Sequence, residues 1–226
     1  MRKRPQYANG EYYHVYNRGV RKQSIFYDDM DRARFVHILY EFNNARPKSD
    51  PRGPTPGVGP LEREPVVSIM AWCLMPNHFH LLLQQRHDGG VSLFMKKLGV
   101  SYTAYMNKRH GLVGHAFQGG FRAKSIQKDA YLFHIVRYIH LNPVDLIEPD
   151  WEEQGILYEQ TVLSFLEKYR WSSYRDWLQL KGFSDVLDTS LSKMYSDVNH
   201  KESMRSWLRY RGPTPGVGPL GRVADS

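Results

Sequence analysis

The sequence predicts an α+β fold of the ferredoxin-like, split-βαβ type, an antiparallel sheet with helices on one face, carrying a mainly helical C-terminal appendage. Three observations predict it. Short aromatic and β-branched runs alternate with stretches of helical period, in the order βαββαβ and then one more helix. Two of the runs are separated only by Pro76-Asn77, which makes them a hairpin. The charge balance then reverses near residue 145: residues 86–144 hold nine Lys/Arg against two acids, whereas residues 145–200 hold eleven acids against five bases. The expected division is therefore 1–149, interrupted by a Pro/Gly-rich insertion at 46–62, then the helical segment 150–210 and a flexible tail, 211–226.

Each element has its own signal. Glu11 to Asn17, EYYHVYN, is aromatic and β-branched and ends in the turn Asn17-Arg18-Gly19, so it predicts a strand. Asp28 or Asp29 can cap a helix running to about Asn44, with apolar positions at i, i+3 and i+4. Val66 to Leu74 is a buried-strand run, and His78 to Gln84 returns from the hairpin turn. Val91 to His110 repeats apolar residues at helical spacing, with Lys108 and Arg109 favourably placed near its C-terminal end. Phe121 to Ile126 predicts a strand, and Asp129 to Leu141 a helix stopped ahead of Pro143. The acidic segment beyond could be a solvated appendage, a helix pair that binds another protein, or a cover over the basic groove.

Composition narrows the class. With 41% hydrophobic and 13% aromatic residues the chain can bury a core. A formal charge of +8 points toward a polyanionic partner. The single cysteine, Cys73, excludes a disulfide scaffold and a Cys-rich zinc module. No apolar run approaches a membrane span, and the basic N-terminus lacks an apolar signal core, so a soluble, cytoplasmic protein without a membrane partner is expected.

One feature belongs to the gene rather than to the fold. Arg52 to Leu61, RGPTPGVGPL, recurs identically as Arg211 to Leu220. Two distant copies make no stacking period, so this is not a solenoid. A duplicated linker is one reading. The other comes from the genetic code: Gly, Pro, Thr and Val have fourfold-degenerate codons, so Gly53 to Pro60 must be encoded GGN CCN ACN CCN GGN GTN GGN CCN. The reverse complement, shifted by one base, restores the same string, and every fixed base of one half pairs with a fixed base of the other. The gene thus carries, twice, a palindrome able to fold as a hairpin, which reads as two in-frame insertions of a palindromic element.

Two constellations carry chemistry. In Met75-Pro-Asn-His-Phe-His-Leu-Leu-Leu83, His78 and His80 face one side of a strand and can share a divalent metal, although satisfied strand histidines give the same pattern. In Arg137-Tyr-Ile-His-Leu-Asn-Pro143, Tyr138 and Asn142 lie one helical turn apart. Asn142 offers a hard oxygen suited to Mg²⁺ or Mn²⁺, and Tyr138 a phenol able to attack phosphorus. The alternative for Tyr138 is packing against Tyr131 and His134 on an amphipathic helix.

Taken with His14-Val-Tyr-Asn-Arg-Gly19, Gly114-His-Ala-Phe-Gln-Gly119 and Tyr169-Arg-Trp-Ser-Ser-Tyr174, these segments resemble, over residues 7–180, the REP-associated tyrosine transposases, one-tyrosine members of the HUH single-stranded-DNA transposases. The resemblance implies an endonuclease and strand transferase that recognises palindromic hairpin DNA and cuts single strands through a 5′-phosphotyrosine intermediate, as in DNA transposition and recombination. It implies His78, His80 and Asn142 as ligands of Mg²⁺ or Mn²⁺ and Tyr138 as nucleophile. DNA contacts are expected from Asn17, Arg18, Lys96, Lys97, Lys108, Arg109, Gln118, Arg122, Lys124 and Arg137, in a monomer or homodimer. Exposed Tyr102, Tyr105 or Phe117 could stack on bases, though each also fits a core position. Gly120 stands where that family usually carries an arginine. The rivals are a catalytically silent hairpin-binding regulator and a metal-dependent RNA nuclease; a small-molecule metallohydrolase fits Asn142 less well.

Overall fold

The computed structural model describes residues 7–45, 64–127, 129–194 and 200–209. The insertion 46–62, both RGPTPGVGPL copies and the tail 211–226 lie outside them. Strands β1 (Tyr12–Arg18), β2 (Val67–Met75), β3 (His78–Gln85) and β4 (Arg122–Ile126) form one antiparallel sheet in the order β2-β3-β1-β4. Helix α1 (Asp29–Phe42) joins β1 to β2 and α2 (Gly90–His110) joins β3 to β4, completing the ferredoxin-like unit. Helix α3 (Asp129–Leu141) follows it.

Local chemistry fixes these boundaries. Asp28 accepts hydrogen bonds from the N–H groups of Met30 and Asp31 at 2.9 and 3.0 Å, capping α1. Gly111, in the left-handed region at φ 64°, closes α2 by donating to the Asn107 carbonyl. At the other end of α2 a Cβ on Gly90 would lie 2.3 Å from the Val66 carbonyl oxygen, so only glycine lets that helix approach β2.

Alternation along the strands sets two faces. Val15, Phe79 and Leu81 face α1 and α2, where Phe35 meets Phe79 with ring centroids 5.0 Å apart. His14, Tyr16, His78 and His80 face the other way. The two helices of the unit share one face, as expected; α3 covers the opposite face and closes over the histidines. All nine residues of β2 are buried, which explains why every one but Ser68 is apolar.

Beyond α3 come α4 (Trp151–Gln154), α5 (Glu159–Lys168), α6 (Tyr174–Trp177), α7 (Ser190–Met194) and α8 (His200–Arg209). A solvated appendage does not describe them. Helices α4, α5, α6 and α8 build a second core around Leu141, Val144, Leu163, Leu166, Tyr174 and Met204, whereas Leu191 of α7 joins the main core, and residues between α5 and α7 dock along the outer edge of β2. The Leu74 N–H donates to the Trp171 carbonyl (2.9 Å), Ser173 N–H to that of Trp72 (2.9 Å) and Asp188 N–H to that of Ile69 (2.8 Å). The Trp177 indole N–H donates to the Met70 carbonyl at 3.0 Å. An edge strand's unpaired backbone groups are thereby satisfied. The same region holds α3: His140 shares hydrogen bonds with Ser173 Oγ (2.9 Å) and His200 Nε2 (3.1 Å).

Candidate active site

The hairpin delivers two histidines to one face, and β1 supplies a third. Cross-strand register sets Arg18 opposite His78, Tyr16 opposite His80 and His14 opposite Leu82. His14 Nε2 and His80 Nδ1 share a buried hydrogen bond of 2.9 Å. His78 Nδ1 lies 2.6 Å from Asn77 Oδ1, an acceptor; in the tautomer protonated on Nδ1 the Nε2 lone pair is left for other use.

Helix α3 brings the other constellation to the same place. The Tyr138 ring stands edge-on to His80 and to His14, with centroids 5.5 and 5.7 Å away. Asn142, one turn on, donates from Nδ2 to the Tyr138 carbonyl at 2.9 Å. That bond leaves Oδ1 as its acceptor atom, and the Asn142 side chain hydrogen-bonds His78. His78, His80, Tyr138 and Asn142, drawn from two separate motifs, form one cluster. Tyr131 stacks with His134, at 5.7 Å, while the Tyr138 ring meets His80 and His14.

The histidines are held neutral. Burial lowers His78 to about 4, opposed by the Asn142 hydrogen bond and aided by the Arg18 charge. Burial, with the Lys124 charge, lowers His14 to about 3. Burial and the neighbouring His78 and His14 hold His80 well below the usual imidazole range. Neutral imidazoles are the form that binds metals. His80 Nε2 is buried with no hydrogen-bond partner; with the His80 proton on Nδ1 it is an acceptor that a cation would satisfy. Among the described residues no three His, Cys, Asp or Glu side chains gather as a metal site; beside the two histidines the Asn142 side chain offers an amide oxygen. The donor set therefore fits a hard divalent ion.

Register also sorts the cations. Arg122 lies opposite Tyr16 and Lys124 opposite His14, so both project exposed from the histidine face, beside Arg18. Arg18 Nε donates to Gln118 Oε1 (2.6 Å) and Asn17 Nδ2 to the Gly119 carbonyl (3.1 Å), which ties loop 114–121 to the end of β1. Tyr16, Asn17, Arg18, Gln118, Gly119, Gly120 and Arg122 line a polar hollow of about 170 Å³. A Cβ on Gly120 would meet nothing within 4 Å, so the position itself has room for a side chain. A second groove of about 770 Å³ runs along α2, with Lys96 on its wall and Asn17 and Gln118 at the seam between the two.

The remaining predicted contacts sit elsewhere. Lys108 is exposed on α2, across the sheet from the histidines. Lys97 donates to the Asn44 carbonyl at 2.8 Å. Arg109 grips Asp28 and the fully buried Asp31, and Arg137 donates to Ser203 Oγ in α8 at 3.3 Å. Burial would raise Asp31, but hydrogen bonds from His110, Arg109, Tyr105 and the Tyr27 N–H hold it below the usual carboxylate value. Tyr102 and Phe117 are buried and Tyr105 bonds Asp31, so none of the three offers a free face to a base.

His14 is the residue that the motif spacing did not single out. Its signal was present in the alternation of EYYHVYN, which puts His14 on the same side as Tyr16, but only the register across β3 shows that it meets His80.

At the level of solved structures the chain is similar to a REP-associated tyrosine transposase bound to a REP hairpin, at 17% sequence identity and a TM-score of 0.48, over 84% of this chain and 95% of that one. Among curated proteins none matches. Residues 60–142 match the family described as "Transposase IS200 like". That stretch holds the histidine hairpin, the loop beside Arg18 and the segment with Tyr138 and Asn142.

Proposed function

We propose that this protein is a metal-dependent single-stranded-DNA endonuclease and strand transferase that recognises hairpin DNA. The observation that carries the proposal is the convergence of His78, His80, Asn142 and Tyr138, from two motifs about sixty residues apart, on one buried cluster. Mg²⁺ or Mn²⁺, held by His78 Nε2, His80 Nε2 and Asn142 Oδ1, would supply the positive charge that polarises a scissile phosphate.

The chain's own groups do the rest. Tyr138 Oη forms a bond to phosphorus and gives up its proton; the bond from phosphorus to the 3′-oxygen breaks, and that oxygen takes up a proton as a free hydroxyl. The downstream strand stays attached through its 5′-phosphate. The phosphotyrosine retains the energy of the phosphodiester, so the 3′-hydroxyl of a second strand can reverse the step and join DNA without ATP. Arg18, Arg122 and Lys124 sit where phosphates entering the histidine face would pass, and the polar hollow beside them gives that strand a place to turn. The α2 cations contribute at most through Lys96 and Lys108.

Tyr138→Phe tests the assignment. The variant is expected to bind hairpin DNA with unchanged affinity and to form no covalent adduct; cleavage at the wild-type rate would move the nucleophile elsewhere. EDTA is expected to abolish cleavage by the wild type while leaving binding intact.

A further inference from the structure

We infer that the hairpin on which this protein acts is encoded in its own gene, in both RGPTPGVGPL segments, so that the single-stranded form of that gene is one of its substrates. The inference rests on the hairpin-DNA function proposed above and goes further, to a sequence and a source.

Three observations lead to it. The first is a symmetry that no property of the peptide can produce. Reading Gly53 to Pro60 backwards while exchanging Gly with Pro and Thr with Val returns the same eight residues. That exchange is the reverse complement of the first two codon bases: GG with CC, and AC with GT. A protein linker has no physical access to base complementarity, so the pattern was set in the nucleic acid.

The second is the place where the fold receives the first copy. The Ala45 N–H donates to the Glu64 carbonyl at 2.8 Å, and the Glu64 N–H donates to Asn44 Oδ1 at 3.1 Å. One step further in, the Asn43 side chain bonds both the N–H (3.1 Å) and the carbonyl (2.8 Å) of Val67. The chain therefore leaves and re-enters the fold at adjacent, clamped points, and the connection between α1 and β2 is complete without the intervening residues. The second copy follows α8, after the last described helix. The first copy thus falls between points that the fold itself joins, and loop-closure entropy grows only slowly with length.

The third is chemical economy. Ten identical residues at two loci of one gene require that a DNA segment was copied or moved. Excising and rejoining a single strand at the foot of a palindrome is the reaction proposed for Tyr138, with exchange of a bond from phosphorus to a 3′-oxygen for one to the phenol oxygen. The enzyme and a substrate suited to it share one reading frame.

The test uses the full chain with Mn²⁺ and three single-stranded probes. These are the native coding strand for Arg52 to Leu61 with its flanks, a scramble of the same base composition, and a pool of hairpins with randomised stems. The inference expects at least about tenfold tighter binding of the native strand than of the scramble, and an adduct with the native strand that Tyr138→Phe does not form. Equal binding of native strand and scramble overturns it. Adducts with pool hairpins but none with the native strand overturn it while leaving the proposed function standing. No adduct and no selective binding with any probe overturns both. As a second measurement, a chain in which residues 47–62 are replaced by a short Gly-Ser link is expected to unfold at the same urea concentration and to cut the native strand within about twofold of the wild-type rate. A folded variant that no longer binds would place the segment's role in the protein and contradict the inference.

Discussion

Replacing His14 by Leu removes its hydrogen bond to His80 together with its ring contacts to His80 and Tyr138, and the hydrogen bond is the part that bears on the metal-binding atom. In the structure His14 Nε2 and His80 Nδ1 are 2.9 Å apart and both rings are buried. For His80 to present the Nε2 lone pair, its proton must sit on Nδ1 and be donated to His14, which then carries its own proton on Nδ1. Leu accepts no hydrogen bond. His80 Nδ1–H would be left buried without a partner, a penalty of about 1–3 kcal/mol, or the proton would move to Nε2 and block the ligand atom. Either way the loss falls on metal binding, and losing the partner that orients a metal-bound histidine costs about 10- to 100-fold in affinity. Mn²⁺ affinity measured from the free-ion resonance should weaken by that factor, with hairpin affinity in EDTA unchanged. Long-range ¹⁵N–¹H spectra should show His80 protonated on Nδ1 in the wild type and redistributed in the variant. Mn²⁺ affinity within twofold of wild type, with the His80 tautomer unchanged, would refute the reasoning.

Further outcomes follow from the same geometry. His14 and His78 have pKa values of about 3 and about 4, against 6.5 in an unfolded chain, so below pH 6.5 the unfolded chain takes up protons that the folded one refuses. Stability is then fully present above about pH 6.5 and falls toward pH 4, by up to about 1.4 kcal/mol per pH unit for each such histidine, as urea unfolding across that range should record; a flat profile would contradict their burial as neutral rings. Arg122→Ala should weaken DNA binding and reduce the slope of log affinity against log salt by about 0.7, whereas Arg109→Ala should lower the unfolding midpoint, because it strips the partner from buried Asp31, and leave that slope unchanged. The reverse pattern would undo the sorting of cations by sheet face. Trp177→Ala, which empties a buried site against β2 and removes the bond to Met70, should cost about 3–5 kcal/mol in urea unfolding, and a loss below 1 kcal/mol would mean that residues 171–188 are not part of the cooperative fold.

Much of this was legible in the residues, for identifiable reasons. The hairpin could be read because β2 is buried on both faces and β3 returns directly from Pro76-Asn77, so pattern and turn agreed. The helix with Tyr138 could be read because Pro143 stops it, and the pairing of its motif with the histidines came through family resemblance rather than periodicity. What periodicity cannot give is which face of the sheet a helix covers. That left α3 unassigned to the side opposite α1 and α2, and it pooled Lys97 and Arg109 with Arg122 and Lys124 although the sheet separates them. His14 escaped notice because its role depends on a cross-strand register with β3. The docking of residues 171–188 on β2 was hidden for a similar reason: it runs through backbone hydrogen bonds, which are blind to side-chain pattern, while the acidic composition of that region suggested a solvated surface.

The most direct test of the central claim is the polarity of the covalent intermediate. A single-stranded hairpin oligonucleotide, labelled at its 5′ end in one sample and at its 3′ end in another, is incubated with the protein and Mn²⁺ and resolved on a denaturing protein gel. A 5′-phosphotyrosine at Tyr138 predicts a labelled protein band with the 3′-labelled strand alone, a free 3′-hydroxyl product with the 5′-labelled strand, and neither with Tyr138→Phe. A band carrying the 5′ label, or one that persists in Tyr138→Phe, would contradict the account.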